Sequence, residues 1–346
     1  MDNNGKALNK TYRLYFAILA AAFILAVLVS ITMGRYALSV GEILKIFAGK
    51  LFATEATWPV SSEKVLFEIR LPRVAAAILI GAALSVAGVC YQGMFRNPMV
   101  SPDILGASTG AGFGASVAII LGAGYFTIAM SAFVTGIAAV MLAYLASRFG
   151  KTNETLALIL GGMVISSLFS AGTTYIKLIA DTQEQLPAIT YWLMGSLSSI
   201  KIEDLKLLVI PVIIGLVPLF LLRWRLNLMT VEEDTARSMG LNIRALRLEV
   251  IVCATLLTAA SVSVSGMIGW VGLVIPHICR MIFGNDYRRL MPATALFGAT
   301  FLLIVDDLAR VLSAGEIPIG ILTSFIGAPV FLYLLFTGGG GKRARG

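Results

Sequence analysis

Long apolar segments dominate the sequence, and most charged residues lie in the short stretches between them. A helix needs about 20 apolar residues to cross a bilayer, and shorter helices suffice where protein surrounds them. Only 13% of the 346 residues are charged, against about 25% in a soluble globular domain. We therefore predict an all-α polytopic membrane protein, a single transmembrane domain over residues 1–346. The ten predicted spans are 14–33, 71–92, 104–122, 125–147, 155–179, 205–222, 247–266, 267–283, 292–314 and 317–337.

The distribution of basic residues predicts the orientation of the spans. With the N-terminus inside, 17 of the 27 Lys and Arg residues fall on the inner side, whereas acidic residues divide 8 inside and 11 outside. Cytoplasmic loops carry the excess of Lys and Arg in membrane proteins. We therefore expect both termini in the cytoplasm, as short tails over 1–13 and 338–346, and the positive net charge needs no nucleic-acid partner to explain it.

Several kinds of chemistry are excluded by residue type and spacing. Cys90, Cys253 and Cys279 lie in apolar stretches without paired spacing, and His277 is the single histidine, so we predict no disulfide scaffold, no bound metal and no cofactor. The tripeptide 150–152 resembles the end of a phosphate loop, but the glycine required five residues earlier is Leu145. The chain is therefore predicted to contain no nucleotide site.

An ion-driven carrier acting alone would need acidic side chains inside its spans. The nearest candidates, Asp306 and Asp307, lie three or four residues from Arg310, and a local ion pair is the favoured interpretation. An integral membrane enzyme is disfavoured because the spans hold no cluster of Asp, Glu, His or Cys. A stand-alone secondary transporter stays an alternative.

One interrupted region points to a transport pathway. The stretch from Asn97 to Asp103 contains Pro98 and Pro102 and precedes a span rich in small residues over 106–114. Small residues allow close helix packing, and irregular backbone at membrane depth is tolerated only beside protein or a water-filled cavity. We expect a broken helix there.

The inner segment 231–244 has acidic residues where a helix would begin and Gly240 where it would end. Val231, Thr235, Met239 and Leu241 supply a small apolar face. The segment is either a solvated loop helix or a short helix that docks on a cytosolic partner.

Four sequence stretches together resemble one family of membrane proteins. They are Arg70–Arg73, Gln92 through Gly106, Gly269–His277, and Glu316 through Pro329. Over about residues 14–337 the chain resembles the permease subunits of type II ABC importers, the FecCD-like family that imports ferric siderophores, haem and cobalamin.

The resemblance implies a permease, not an enzyme, in a bacterial cytoplasmic (inner) membrane. It implies two copies around one pore, as a homodimer or a heterodimer with a related permease, two ATPase subunits that bind ATP, and an extracytoplasmic binding protein. A ferric siderophore is the expected cargo, with haem or cobalamin as the alternative.

The resemblance also assigns expected roles to residues. The coupling segment 231–244 would contact the ATPase, with Glu232, Asp234, Ala236, Arg237, Met239, Gly240 and Leu241 at the contact. Arg70, Arg73 and Arg310 match arginines that dock the binding protein, although interfacial anchoring or pairing with Glu68 and Asp306 is an alternative. His277 is expected to pack against a neighbouring helix or to form a hydrogen bond with it. The predicted pathway residues are Gly161, Gly162, Ser166, Ser170, Thr323 and Ser324.

Overall fold

The computed structural model describes residues 3–53, 57–149, 154–230, 240, 242–313 and 315–338, and every regular element within these ranges is helical. A π-helical turn over Val65–Arg70 leads into α4, and a 3₁₀ turn over Pro102–Leu105 precedes α5. The α-helices, numbered along the chain, are α1 Asn3–Thr32, α2 Val40–Phe52, α3 Val60–Lys64, α4 Leu71–Met94, α5 Ala107–Ile120, α6 Tyr125–Arg148, α7 Glu154–Ile179, α8 Gln185–Met194, α9 Ile202–Met229, α10 Ile243–Ser265, α11 Val271–Phe283, α12 Tyr287–Val311 and α13 Ile319–Gly338.

The helices confirm the predicted class, an all-α polytopic membrane protein. Within the described ranges, seven helical segments are long and apolar enough to cross a membrane, and α5, α11 and α13 are shorter apolar helices. Together they occupy the positions of the ten predicted spans. The helices α2, α3 and α8 lie outside every predicted span.

Tertiary contacts define the two ends of the bundle. At one end, which we call the Arg70 end, Arg35 Nη2 donates to the carbonyl of Ser313 at 3.1 Å and joins the region after α1 to the end of α12. At the other, the Arg96 end, Arg96 Nε donates to the carbonyl of Met229 at 3.0 Å and joins the end of α4 to that of α9. The end of α12 therefore meets the region after α1 at the Arg70 end.

Helix α4 lies at the centre of the fold, where it packs against α9, α10, α11 and α12. It is buried along most of its length because small residues line its contacts. A Cβ added at Gly88 would overlap the backbone carbonyl of Gly272 in α11, and one at Gly81 would overlap that of Gly298 in α12. The backbones of three helices are thus in direct contact.

The predicted break before α5 is confirmed. Helix α4 ends at Met94, and no regular helix forms again until the 3₁₀ turn that begins at Pro102. Gly106 ends this turn with φ +86°, a conformation that favours glycine. The carboxylate of Asp103 then accepts a hydrogen bond from the Ser108 backbone N–H at 2.7 Å, which caps the start of α5.

We expect Gly88→Ala to destabilise the protein, because the new methyl group must push α4 away from the Gly272 carbonyl. Overpacking of this kind typically costs about 1–3 kcal/mol. The measurement is thermal stability in detergent, followed by fluorescence-detected size exclusion.

Gly41→Ala in α2 is the matched control, because a Cβ at Gly41 meets no atom within 4 Å. Its stability should stay unchanged or rise slightly, since alanine is a better helix former than glycine. Equal stability of the two variants would contradict the close contact between α4 and α11.

Candidate functional site

Six charged residues form a cluster at the Arg70 end, which we call the arginine–carboxylate cluster. It contains three arginines and three carboxylates, so its formal charges balance. The arginines are only 3% to 6% exposed, and Asp306 has no exposed surface. The members are Arg70, Arg73, Arg310, Asp306, Asp307 and Glu316.

Asp306 lies at the centre of this cluster, between two guanidinium groups. Arg73 Nε is 2.9 Å from Asp306 Oδ1 and 3.0 Å from Oδ2, and Arg310 Nε is 3.3 Å from Oδ2. Asp307 pairs with Arg310 Nη2, and Glu316 Oε1 accepts a bond from Arg73 Nη1 at 3.0 Å. The predicted local ion pair of Asp306 and Asp307 with Arg310 is confirmed.

Arg70 has a different environment, since its hydrogen-bond partners are backbone carbonyls. Its Nη1 donates to Ile31 at 2.6 Å and to Thr32 at 2.7 Å, and its Nη2 donates to Tyr36. The last carbonyls of a helix lack partners within the helix. Arg70 therefore caps the end of α1.

The structure brings the three predicted docking arginines together, but it also buries them and gives each one partners inside the chain. The interpretation of Arg73 as a partner of Asp306 agrees with this geometry. Docking of a binding protein by these arginines stays a prediction.

An apolar groove of about 720 Å³ opens at the surface between α8, the start of α11 and α13. Among the described residues that line the groove, none is charged, and the one hydroxyl belongs to Ser324. Ser324 Oγ donates to the Gly320 carbonyl at 2.7 Å. The lining residues are Leu193, Met194, Met267, Gly269, Trp270, Gly320, Ile321, Ser324, Phe325, Ala328 and Pro329.

A break between α10 and α11 gives the groove its shape. Gly266 and Trp270 have φ of +69° and +71°, and a left-handed conformation is costly for a residue as large as tryptophan. Ser196 N donates to the Ser265 carbonyl at 2.7 Å and holds the break to the end of α8. Ile319 N donates to the Gly195 carbonyl at 2.9 Å and joins the start of α13 to the same end of α8.

The predicted pathway residues do not share one environment. Ser324 lines the groove, whereas its neighbour Thr323 is fully buried, with its hydroxyl donating to the Gly320 carbonyl at 3.2 Å. Gly161 and Gly162 are close-packing positions, against the carbonyls of Ala143 and Ile104. Ser166 lies beside Gly106, and Ser170 is exposed on α7.

The predicted pathway residues lie on two helices, α7 and α13, that pack against different neighbouring helices of the chain. Helix α7 packs on α5 and α6, whereas α13 packs on α8, α11 and α12. A role in transport for the α7 positions stays a prediction.

Most of the predicted coupling segment lies outside the described residues, including Glu232, Asp234, Ala236, Arg237, Met239 and Leu241. Gly240 is described and has φ +80°, a conformation that favours glycine. Near the end of the segment, Asn242 Oδ1 accepts a bond from Ala245 N at 3.1 Å and caps α10.

Ion pairs at the Arg96 end join the start of α7 to the start of α10. Glu154 of α7 pairs with Arg244 at 3.0 Å and with Arg247 at 2.8 Å. Both arginines line a groove of about 420 Å³ together with Tyr144 and Arg148 of α6.

A second contact at this end joins α9 to α12. The Asn227 amide donates to Asp286 at 2.8 Å and accepts from Tyr287 N at 2.8 Å. Partial burial opposes ionisation of Asp286, but hydrogen bonds from Arg288 N and Asn227, with the nearby Arg288 and Arg289 charges, lower its pKa below the usual value.

Sequence reasoning missed Gln92 as a residue that joins helices. Gln92 is buried, accepts a bond from Arg280 Nη1 at 2.6 Å, and donates to the carbonyls of Val100 and Leu273 at 3.2 Å. A glutamine inside an apolar span was the available signal, because a buried amide needs partners.

No group of three or more His, Cys, Asp or Glu residues within the described ranges is arranged to hold a metal ion. The cysteines Cys90, Cys253 and Cys279 are free and buried. His277 is half-buried on α11, and its predicted packing role stays a prediction.

This chain is similar to known transport proteins over most of its length. The FecCD transport family matches residues 22–337. The molybdate import system permease MolB of Haemophilus influenzae is 42% identical over 92% of this chain and 94% of its own length. A probable iron chelatin transport permease of Helicobacter pylori is 44% identical over 79% of this chain and 82% of its own.

A solved structure agrees with these relatives. It is an inward-facing conformation of a metal-chelate type ABC transporter, which superposes with a TM-score of 0.84 at 39% identity and covers 94% of this chain and 99% of its own. The match over residues 22–337, the two relatives and the shared fold together show that this chain belongs to the FecCD transport family of ABC importer permeases.

Proposed function

We propose that this permease translocates an iron chelate of the ferric-siderophore class across a bacterial cytoplasmic membrane. The observation that carries the proposal is the groove of about 720 Å³ between α8, α11 and α13. Pockets for drug-sized organic ligands measure about 300–1,000 Å³ and are mostly apolar. A bulky organic chelate matches both the size and the lining.

Molybdate is the second candidate, and the similarity to MolB favours it. A small oxyanion is usually held by N–H donors or by arginine, and the described lining offers no charged side chain. The groove therefore favours the larger organic cargo. Haem and cobalamin are also large and partly apolar, so the choice among organic cargoes depends on the transport assay.

The groove supports assembly with a second permease copy, identical or related. It opens on the surface of one chain, so a second copy facing α13 would enclose the cargo between the two. In this arrangement the Arg70 end faces the extracytoplasmic binding protein, and the Arg96 end faces two ATPase subunits.

The pairing of the charged residues of α12 supports the proposal that the energy for transport comes from outside this chain. An ion-driven carrier would need a carboxylate that is free to take up and release an ion. Asp306 and Asp307 are instead paired with Arg73 and Arg310. ATP bound by the partner subunits would supply the energy, and the segment 231–244 would transmit it.

The first test of cargo and energy source is uptake of radioactive iron, as a ferric hydroxamate, in cells that lack the gene and then regain it. We expect uptake to return with the gene and to stop when ATP is depleted. Parallel arms with radiolabelled haem, cobalamin and molybdate distinguish the other cargoes. Restored molybdate uptake without iron uptake would contradict the siderophore proposal.

A variant pair connects that uptake to the groove. Ala328→Trp should reduce uptake at least about tenfold, because the indole fills space that the cargo needs. Leu332→Trp on the same helix is the matched control, since Leu332 is exposed but does not line the groove. Equal uptake by both variants, at equal membrane abundance, would exclude the groove from the pathway.

If Arg73 docks the binding protein, a substitution of its partner Glu316 should change the affinity of that complex. We expect Glu316→Gln to tighten the complex with the binding protein about three- to tenfold, because a docking carboxylate no longer competes with Glu316 for Arg73 Nη1. Asp306 stays in place and keeps the core of the cluster paired. The measurement is affinity for the binding protein of the same importer, with the permease in nanodiscs.

Glu63→Gln is the matched control for Glu316→Gln. The two glutamate side chains are 26% and 29% exposed, and each is paired with one cation, Glu63 with Lys50. The control should bind with unchanged affinity. An unchanged or weaker complex with Glu316→Gln would mean that Arg73 does not dock the binding protein.

If the segment 231–244 couples the permease to the ATPase, the double substitution Met239→Asp and Leu241→Asp should abolish ATPase binding. Acidic side chains at these positions would remove the apolar face that a cytosolic groove needs. We expect the ATPase subunit no longer to copurify with the permease. Phe149→Asp, at an exposed apolar position next to α6, is the control and should retain it.

A further inference from the structure

Helix α2 has two apolar faces: one is buried against the protein, and the other is largely exposed, with Phe47 in contact with the Phe67 ring. Its inner face contains Ile43, Ile46 and Gly49, which are buried. They pack against Leu66 and Trp58 of the neighbouring segment. This contact holds α2 beside the end of α1 at the Arg70 end.

The second apolar face of α2 is a continuous stripe. Val40, Leu44, Phe47 and Leu51 follow one another at spacings of four, three and four residues, so they share one side of the helix. Their exposed fractions range from 39% to 79%. Gly41 and Lys45 lie on an adjacent, more polar side, so α2 is amphipathic beyond the face that it buries.

The exposed stripe continues the exposed apolar surface of α1. Helix α1 is long and apolar enough to cross a membrane, and its last turns expose Leu25, Leu28 and Val29. Only residues 33–39 separate α1 from α2. Ile31 of α1 also packs on the cluster that holds the inner face of α2, so the stripe begins where the exposed apolar surface of α1 ends.

We propose that α2 lies in the membrane interface at the Arg70 end, with the stripe of Val40, Leu44, Phe47 and Leu51 inserted between lipids. A helix with an apolar stripe and basic residues beside it binds at the boundary of headgroups and acyl chains. Lys45 can extend its amine toward the lipid phosphates while its methylene groups stay in the apolar layer. The partner is therefore the bilayer itself.

A short chain of contacts joins α2 to the segment that leads to Arg70. Lys50 of α2 pairs with Glu63 of α3 at 2.5 Å, and the Trp58 indole N–H donates to the same carboxylate at 3.0 Å. Helix α3 continues into the π-helical turn that ends at Arg70. The anchored helix therefore lies at the same end of the bundle as the arginine–carboxylate cluster.

The test is nitroxide scanning of the full-length permease in nanodiscs of phosphatidylcholine and phosphatidylglycerol. Single cysteines replace Leu44 and Leu51 on the stripe, and Gly41 and Lys45 on the polar side. The three native cysteines are buried, which limits background labelling. The accessibility of each label to oxygen, which concentrates in the acyl layer, is compared with its accessibility to a water-soluble nickel chelate.

We expect the oxygen-to-nickel accessibility ratio at Leu44→Cys and Leu51→Cys to be several-fold higher than at Gly41→Cys and Lys45→Cys. Equally high nickel accessibility on both sides would place α2 in water and overturn the proposal. Exclusion of both reagents from the two stripe positions would also overturn it, because a protein surface, such as a second copy or the binding protein, would then cover the stripe.

Discussion

Asp306 accepts hydrogen bonds from Arg73 and forms an ion pair with Arg310. The arrangement of the helices at the Arg70 end depends on these contacts. A buried charge without a partner typically costs about 3–5 kcal/mol. Arg73 of α4 and Asp306 of α12 must therefore stay together, and the close backbone contact of Gly81 with Gly298 holds the same two helices further along. Glu316 extends the cluster to the segment that begins α13, so the charged cluster and the apolar groove share one rigid frame.

The spans were predictable because each depends on a local quantity, the number of consecutive apolar residues. Helices α2, α3 and α8 were not, because they have 13, 5 and 10 residues and are stabilised by contacts rather than by length. Helix α2 illustrates the difference, since Trp58 and Leu66, which hold its inner face, lie beyond its own end. The π-helical turn before α4 likewise ends at Arg70, which donates to carbonyls at the end of α1.

The candidate site was predictable to the extent that its contacts are local. Asp306, Asp307 and Arg310 lie within one turn of a helix, so spacing indicated their ion pair. The pairing of Arg73 with Asp306 joins residues far apart in sequence, and only the family resemblance grouped the arginines. Met267 and Trp270 were missed because an apolar side chain in an apolar chain carries no distinguishing chemistry before the fold places it in the groove.

The distance in sequence between Arg73 and Asp306 has a consequence for biogenesis. The two residues are 233 positions apart, and translation proceeds at about 5–20 residues per second, so α4 is made about 10–50 seconds before its counter-charge. During that time Arg73 must reach lipid headgroups or another protein, which its place near a membrane surface allows. A chain that stalls before residue 306 therefore keeps Arg73 without the carboxylate that neutralises it in the finished permease.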